Sequence, residues 1–332
     1  MKKVTIMDIA SMTGVSKATV SMVLNKKDSC ISDATRNRIL KTAREMHYIP
    51  NSIARSLSTN KSGTIGIILP DITNPFFSEI ARAIEDGANN RGYNVMFCNS
   101  DNNIKKEEKY IELMISKLVD GIIFISGGES RKNLERLTAN NIPFVLVDRY
   151  VDGYENGYGV YCHNEEGVMQ GIKYLYDKGK RKIAFAKGPK GLETSKNRLN
   201  GYKRAARQYG IYDSKLIFES DFTIEGGKAV TEYMLSSGTE FDSIFYSSDI
   251  MAFGGMKVLL RRGYKIPDDI SIIGFDNIRI SEFIEPELTT VAQPIYKMGN
   301  KSCELLIDII EGAEISQKLI FFKPELIIRG TA

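Results

Sequence analysis

The first fifty residues alternate apolar and polar positions with the period of an α-helix. Two short helix-like runs flank Gly14, which can supply the left-handed turn that ends the first of them. A third run places Ile39, Leu40, Ala43 and Met46 at helical spacing. We therefore predict three short helices at the N-terminus.

Polar residues mark the starts of these helices. Thr5 and Asp8 have the spacing of a capping box, in which each side chain satisfies a backbone amide. Ser16 and Ser32 stand where they can cap the second and third helices. Four apolar residues of the second segment are expected to face the core of this head: Val15, Val20, Val23 and Leu24.

From Thr64 onward, short apolar runs alternate with helical stretches. The runs predicted as strands are TIGIIL, YNVMFC, GIIFIS, PFVLVD, KIAFA, SIFYS and ISIIGF, with LIFFKPELIIRG as a last strand. Buried apolar strands linked by helices are typical of parallel sheets with right-handed crossovers. The remaining length of about 270 residues fits two such units.

The N-terminal pattern has the features of a helix-turn-helix: two helices joined by a turn of about three residues that contains Gly. Residues 1–61 hold 11 Lys and Arg against 4 Asp and Glu, a net charge of +7, whereas the whole chain carries +4. This basic head favours a polyanion as its partner. Lys17, Ala18, Ser21 and Met22 would then face DNA base edges. The alternative is a helical hairpin packed on the body.

Several predicted strands end in an acidic residue, where ligands bind in open α/β sheets. Asp71 and Asp249 are interpreted as caps of the helices that follow them. Asp148 and Asp276 are interpreted as ligand contacts. A neutral polyol needs planar donors and acceptors for paired hydroxyls and aromatic faces for its C–H surface. That chemistry is supplied by Asp148, Arg149, Arg198, Asp276, Phe76, Phe77 and Phe222.

The remaining composition argues against other classes of protein. Four widely spaced cysteines indicate reduced thiols, and two histidines make a metal site or a Ser-His-Asp catalyst hard to assemble. We find no phosphate-binding loop and no nucleophile–base pair, so we expect neither an enzyme nor a cofactor. No signal peptide or membrane span of about 20 apolar residues is visible, and we expect a cytoplasmic protein.

The segments TIMDIASMTGVSKATVSMVLN, ISDATRNRIL and YIPNSIARSL closely resemble the headpiece of the LacI/GalR family of bacterial transcription regulators. IGIILPDITNPFF, GFDNIRISEF and LTTVAQP extend the resemblance over essentially the whole chain. It implies an all-α helix-turn-helix head and a type I periplasmic-binding-protein-like α/β core. The expected domains are 1–49 (head), 50–61 (hinge helix and linker) and 62–332 (core). The core would consist of one lobe of about 62–161 plus 292–320 and another of about 162–291 plus 321–332.

The resemblance also implies the DNA contacts. In the family, residues matching Lys17, Ala18 and Met22 read bases, and the residue matching Leu57 wedges between base pairs from a hinge helix that orders on DNA. Met22 departs from the Arg that is frequent there, so the operator is expected to differ at that base. The predicted DNA-binding residues are Thr5, Ser16, Lys17, Ala18, Thr19, Ser21, Met22, Asn25, Ser32, Thr35, Asn51, Ala54, Arg55 and Leu57.

For the core, the resemblance implies a small-molecule effector between the lobes, with a pentose or hexose expected and a nucleobase as the alternative. Thr194 matches a position used by a purine-binding member. Ser248 stands where Asn is frequent, and His163 where Asp is usual. The predicted effector-binding residues are Asn74, Phe76, Phe77, Asp148, Arg149, Thr194, Arg198, Phe222, Ser248, Asp276 and Gln293.

The expected function is therefore a repressor that binds a pseudo-palindromic operator as a homodimer and responds to its effector by coupling between the two sites. No heptad tail follows the last predicted strand, so we expect a dimer and not a tetramer. The alternatives are a sugar-binding receptor without a DNA role and a regulator that senses a nucleobase or a partner protein. The identity of the effector and the sign of control do not follow from the sequence.

Overall fold

The computed structural model describes residues 4–25, 28, 30–49, 61–125, 131–151, 154 and 157–332. The chain forms two compact units, Met1–Ser62 and Gly63–Ala332. Each unit has a hydrophobic core of its own. The predicted hinge segment 50–61 lies almost entirely outside the described residues.

The first unit contains the three predicted helices. They are α1 (Ile6–Thr13), α2 (Lys17–Leu24) and α3 (Asp33–Glu45). The capping box of Thr5 and Asp8 is present, and Gly14 ends α1 in the left-handed conformation at φ 67°. Ser16 and Ser32 cap α2 and α3 through their hydroxyls, as the sequence predicts.

The second unit contains two six-stranded sheets, and all seven apolar strands predicted from the sequence occur in them. The strands are β1 (Thr64–Leu69), β2 (Asn94–Asn99), β3 (Gly121–Phe124), β4 (Phe144–Val147), β5 (Gly159–Cys162), β6 (Ile183–Lys187), β7 (Ile217–Glu219), β8 (Ser243–Tyr246), β9 (Ser271–Asp276), β10 (Thr290–Ala292), β11 (Leu319–Phe322) and β12 (Glu325–Ile327). The first sheet has the order β11-β5-β4-β3-β1-β2 and the second β12-β10-β9-β8-β6-β7. Pairing is parallel except between β10 and β12, which run antiparallel.

Helices pack on both sheets, and each sheet forms one lobe together with its helices. The helices are α4 (Pro75–Asn90), α5 (Ile104–Ser116), α6 (Arg131–Ala139), α7 (Asn164–Asp177), α8 (Glu193–Gln208), α9 (Ile224–Ser236), α10 (Asp249–Arg261) and α11 (Ile295–Glu311). Helices α4, α5, α6 and α11 pack on the first sheet, and α7 to α10 pack on the second. We call these packed layers the first and second lobes.

The prediction of one last strand in LIFFKPELIIRG was wrong. The segment forms two strands, and β11 pairs with β5 in the first sheet while β12 pairs with β10 in the second. Lys323 and Pro324 separate them, and Pro cannot donate a ladder hydrogen bond. The chain therefore passes between the lobes three times: after β5, after β10 and after β11.

The parallel strands are almost fully buried because helices cover both faces of each sheet. Strand β9 is buried at every position, as are β3, β4 and β8. Among the described residues, no helix is both long and apolar enough to cross a membrane.

Candidate DNA-reading helix and effector cleft

Helix α2 has one buried face and one exposed face. Val20 and Val23 are buried in the core of the head. Lys17, Ala18 and Met22 are exposed, Met22 by 39%. The three residues predicted to read bases therefore lie on the solvent side of this helix, where a duplex can reach them.

Other residues predicted to contact DNA also serve as helix caps. The Ser16 hydroxyl accepts a hydrogen bond from the Thr19 backbone N–H at 3.1 Å, and the two hydroxyls lie 2.8 Å apart. Ser32 and Thr35 repeat this arrangement at the start of α3, with their hydroxyls 3.0 Å apart. These side chains are held in place by the helices, and each hydroxyl has capacity for a further contact.

Two more predicted contacts have partners within the head. The Asn25 amide donates to the Ser21 carbonyl oxygen at 2.8 Å, which fixes the C-terminal end of α2. The Thr5 hydroxyl donates to Asp8 Oδ2 at 2.7 Å as part of the capping box. Four predicted contacts lie outside the described residues: Asn51, Ala54, Arg55 and Leu57.

In the second unit, the predicted effector residues come from the carboxyl ends of strands and the first turns of helices. Asp148 follows β4, and Asp276 ends β9. Arg198 lies in the second turn of α8 and is 4% exposed. Phe222 is partly buried, and the other ten of the eleven predicted residues are buried: Asn74, Phe76, Phe77, Asp148, Arg149, Thr194, Arg198, Ser248, Asp276 and Gln293.

Arg198 is the centre of the polar network of the second lobe. Its guanidinium donates to Asn164 Oδ1 at 2.7 Å, to the Ser247 carbonyl oxygen and to Asp276 Oδ1 at 3.4 Å. It also stacks on Phe275, with 3.8 Å between Cζ and the ring centroid. These contacts lock a long side chain that would otherwise be mobile.

Gln293 completes the second-lobe side of the network. Its amide nitrogen donates to Asp276 Oδ1 at 2.9 Å, while its carbonyl oxygen is buried without a hydrogen-bond partner among the described residues. Ser195 and Ser247 likewise bury hydroxyls without a described partner. Buried polar atoms are normally paired, so these atoms have hydrogen-bonding capacity that the described residues leave unused.

Arg149 is the matching cation of the first lobe. It donates to Asn102 Oδ1 at 2.9 Å, and its Cζ lies 5.2 Å from the centroid of the Phe77 ring. Its Nε and the Oδ1 atom of Asp148 are buried without a described partner. Each lobe thus contributes one buried Arg, one buried Asp and unpaired hydrogen-bonding atoms.

Two of these residues have unusual backbone conformations. Asp148 has φ 65° and Asp276 has φ 121°, both on the positive side that non-glycine residues rarely occupy. Such conformations cost of the order of 1–3 kcal/mol each and concentrate at functional sites. The strain supports a role for both aspartates in binding, beyond packing.

The electrostatics of the site suit a neutral ligand that is rich in hydroxyls. Burial raises the pKa of Asp276 to about 8, although Arg198 acts in the opposite direction. Burial also raises the pKa of Asp148 and lowers that of Arg149. Asp276 can donate a hydrogen bond when protonated and accept when ionised, so the two Asp–Arg sets match the hydroxyl groups of a neutral ligand.

Phe222 is positioned over the network by a close approach that only glycine permits. Its ring lies beside Arg198, with 5.7 Å between Cζ and the ring centroid. A Cβ added at Gly188 would lie 2.2 Å from the Phe222 Cζ atom and 2.5 Å from the Ser195 hydroxyl. Gly188 therefore allows an aromatic face and a polar group to share this corner of the cleft.

The interpretation of Asp249 as a helix cap was wrong. The cap of α10 is Ser248, whose hydroxyl accepts from the Met251 N–H at 3.4 Å. Asp249 is fully buried and accepts hydrogen bonds from the Ile278 N–H at 2.9 Å and the Ser281 hydroxyl at 2.8 Å. It therefore fixes the segment that follows Asp276.

The interpretation of Asp71 as a cap was also wrong. Asp71 accepts from the backbone N–H of Thr73 at 2.9 Å and from its hydroxyl at 2.6 Å, which forms a local turn. The cap of α4 is Asn74, whose side-chain oxygen accepts from the Phe76 N–H at 3.1 Å. Asn74 and Ser248 thus have structural roles in addition to the predicted contact with an effector.

Three residues of the network were not among the predicted site residues. Asn164 orients Arg198, Asn102 orients Arg149, and Asn277 buries a side-chain oxygen without a described partner. Each follows or closely follows the carboxyl end of a strand, which is the signal that identified the aspartates. His163, which precedes Asn164, packs its ring on Phe321 with centroids 5.1 Å apart.

Fold and site together define a DNA-binding regulator with a two-lobed ligand-binding core. Residues 5–51 match the family described as bacterial regulatory proteins, lacI family, and residues 172–332 match the periplasmic binding protein-like domain. The ribose operon repressor of Halalkalibacterium halodurans is 40% identical over 327 residues, which are 98% of this chain and 96% of that repressor. The chain therefore belongs to the lacI family of transcriptional regulators, and the predicted family and fold class are confirmed.

Solved structures agree with this assignment. The lac repressor dimer bound to operator and the anti-inducer ONPF has a TM-score of 0.90 at 26% identity, and the match covers 99% of both chains. A LacI family regulator from Enterococcus faecium with bound ribose has a TM-score of 0.72 at 30% identity. That match covers 81% of this chain and 98% of the other. The protein is a sequence-specific DNA-binding transcriptional regulator.

Proposed function

We propose that the protein is a repressor whose affinity for its operator is controlled by a neutral pentose or hexose bound between the two lobes. The observation that carries this proposal is the pair of buried Arg–Asp sets, one from each lobe, with unpaired polar atoms beside aromatic rings. Paired hydroxyls of a sugar match a guanidinium and a carboxylate, and its C–H face matches Phe77 or Phe222. The ribose-bound relative supports the same ligand class.

The operator is proposed to be a pseudo-palindrome read by a homodimer in the cytoplasm. The lac repressor relative is a dimer bound to operator, and twofold symmetry of the protein matches twofold symmetry of the site. Lys17, Ala18 and Met22 would read bases in the major groove. Leu57 and Arg55 would act from the hinge segment, in the minor groove and on phosphate respectively.

We propose that sugar binding affects operator binding by changing the position of the two lobes relative to each other. Residues 276–279 leave the cleft at Asp276 and reach the first lobe, where the Arg279 N–H donates to Glu79 Oε1 at 3.2 Å. Glu79 lies in α4, the helix that begins with Asn74 and Phe76. A sugar that binds to both lobes would stabilise this contact between Arg279 and Glu79. It would thereby favour one distance between the two heads of a dimer.

The direct test is operator binding measured with a panel of small molecules. We expect at least one neutral pentose or hexose to raise the melting temperature of the protein and to change its operator Kd, while the sugar itself is not consumed. Sugar phosphates are expected to have no effect because their phosphate would have to be buried next to two acidic side chains, Asp148 and Asp276. If only phosphorylated sugars or nucleobases acted, or if the sugar were turned over, the proposal would be wrong.

The raised pKa of Asp276 leads to a pH prediction. A carboxyl whose pKa is about 8 when folded, against ~3.9 when unfolded, binds its proton more tightly in the folded protein. Its contribution to stability is complete below pH ~4 and is lost as pH rises to about 8. Sugar hydroxyls that donate to Asp276 favour the ionised form, so sugar binding should release up to one proton at pH 7.

Calorimetry in two buffers of different ionisation enthalpy measures this proton release. We expect sugar affinity to rise by up to about tenfold per pH unit below pH 8 and to level off above it. An Asp276→Asn variant provides the control, since it should show no proton release from this site. Equal binding enthalpies in both buffers at pH 7 would contradict the prediction.

A further inference from the structure

A second cavity lies beside the cleft and is not accounted for by a single sugar ring. Its volume is about 280 Å³, and its walls come from both lobes. Tyr150, Tyr154 and Tyr161 belong to the first lobe, and Glu193 and Asn197 belong to α8 of the second. This volume is near the lower end of the roughly 300–1,000 Å³ typical of small-molecule sites, so it suits one additional ring.

The cavity and the cleft are formed by the same two backbone segments. Tyr150 follows Arg149 directly, and Asn197 precedes Arg198 directly. Adjacent Cα atoms are about 3.8 Å apart, and neighbouring residues of a helix project about 100° apart. Arg198 on one face of α8 therefore lines the cleft, while Asn197 on the adjoining face lines the cavity.

The first-lobe wall of the cavity is aromatic. The rings of Tyr150 and Tyr161 stack with centroids 3.8 Å apart and an interplanar angle of 8°. Tyr161 also packs against Phe321, with centroids 5.6 Å apart, so the wall is held rigidly. Rigid aromatic faces bind the C–H face of a sugar or the plane of a heterocycle.

The polar groups around this wall are available for hydrogen bonds. Among the residues that the structure describes, the Tyr150 and Tyr161 hydroxyls and the Asn197 amide have no hydrogen-bond partner. Burial raises the pKa of both tyrosines, so their hydroxyls stay protonated and can donate. Tyr154, by contrast, already has a partner in the Thr138 hydroxyl at 2.9 Å.

The charge of the cavity favours a neutral occupant. Among the described residues that line the cavity, Glu193 is the one with a carboxylate. Its side chain pairs with the exposed Lys196 at 3.2 Å. None of the described lining residues is a cation that could hold a phosphate. Hydroxyl or N–H donors on a neutral ring fit the acceptors that remain on Glu193 and Asn197.

We propose that this cavity is a subsite for a second ring joined to the sugar in the cleft, so that the preferred effector is a glycoside. The second ring stacks on Tyr150 and forms hydrogen bonds with Asn197 and Glu193. Because it contacts both lobes, it adds to the interactions that fix the position of the lobes relative to each other. This inference rests on the proposed sugar site and extends it to a two-ring ligand.

Titration calorimetry on the full-length protein tests the proposal with defined probes. The probes are free D-ribose and D-glucose, their methyl glycosides, disaccharides of glucose, and the common ribonucleosides. We expect one two-ring series to bind at least about tenfold more tightly than its free sugar and methyl glycoside, equivalent to roughly 1.4 kcal/mol. Disaccharides and nucleosides distinguish an O-linked sugar from an N-linked base as the second ring.

A matched pair of variants on α8 assigns that gain to the cavity. Asn197→Ala should weaken the two-ring ligand about fivefold, as expected for one neutral hydrogen bond, and leave the free sugar unchanged. Asn200→Ala, at an exposed position of the same helix, should change neither affinity. Both substitutions favour helix and are expected to leave the fold intact.

The outcomes separate this inference from the proposed function. If free sugars bind but no two-ring ligand binds better, or if Asn197→Ala weakens both ligands equally, the subsite is wrong and the sugar cleft stands. If no free sugar, glycoside or nucleoside binds, both proposals are wrong.

Discussion

Replacing Arg198 with Ala is expected to abolish the response of operator binding to the effector while operator binding itself persists. The guanidinium is buried and donates to Asn164, to the Ser247 carbonyl oxygen and to Asp276. Charge-assisted hydrogen bonds contribute about 1.5–3 kcal/mol each, so the loss of two ligand contacts should weaken the sugar by at least about a hundredfold. Operator titrations with and without sugar measure the response.

Two further variants make this result interpretable. Arg204→Ala removes an exposed Arg from the same helix, which pairs with Glu165 at 3.1 Å, and should leave the response intact. Arg198→Lys retains the charge but loses the planar fork, so it should fold like the natural protein and still respond weakly. An Arg198→Ala protein that responded at ordinary sugar concentrations would show that the cleft has been misassigned.

Asp249→Ala is expected to cause a large loss of stability. The carboxylate is fully buried and accepts from the Ile278 N–H and from the hydroxyls of Ser281 and Thr290. Alanine would leave three buried donors unpaired, at about 1–3 kcal/mol each. We therefore expect the free energy of unfolding to fall by about 3–5 kcal/mol, measured by chemical denaturation.

Asp71→Ala is the matched control, because Asp71 also follows a strand but accepts only from neighbouring Thr73 near the surface. It should cost about 1 kcal/mol or less. Asp249→Asn should fall between the two, since the amide oxygen can still accept from Ile278 and the hydroxyls can reorient. A loss below about 1 kcal/mol for Asp249→Ala would contradict the role assigned to that carboxylate.

In the head, the local sequence determines where the helices begin and end. Its caps depend on residues three positions apart, such as Thr5 with Asp8 and Ser16 with Thr19, and these contacts form within one turn of helix. Gly14 likewise acts through its own backbone angle. Signals of this kind involve no distant partner, so the sequence alone predicted them.

The sheets were predictable in their centres and less so at their edges. The apolar runs of β1, β3 and β9 are buried on both faces and have a continuous pattern. Strands of three residues such as β7 and β12 are too short to show a period. The division of the last apolar segment between two sheets depends on which strands lie beside it, and that information is not local.

In the effector site too, contacts between residues that are distant in the sequence could not be predicted. Asp148 and Asp276 were predicted from the strand ends that they follow, and Arg198 from the planar hydrogen-bond donors that a sugar requires. The burial of Asp249 depends on residues 278–290, which lie about thirty to forty positions away in the chain. A single carboxylate after a strand could therefore be assigned to a cap as readily as to the core.

The proposed regulation requires that sugar binding in the cleft and operator binding by the head are thermodynamically coupled. Coupling of this kind is reciprocal, and typical factors are about 5–150-fold. The most direct measurement is the Kd of the stabilising sugar, determined by calorimetry with and without saturating operator DNA. We predict that operator changes the sugar Kd by the same factor by which sugar changes the operator Kd; an unchanged sugar Kd would show that the two sites are not coupled.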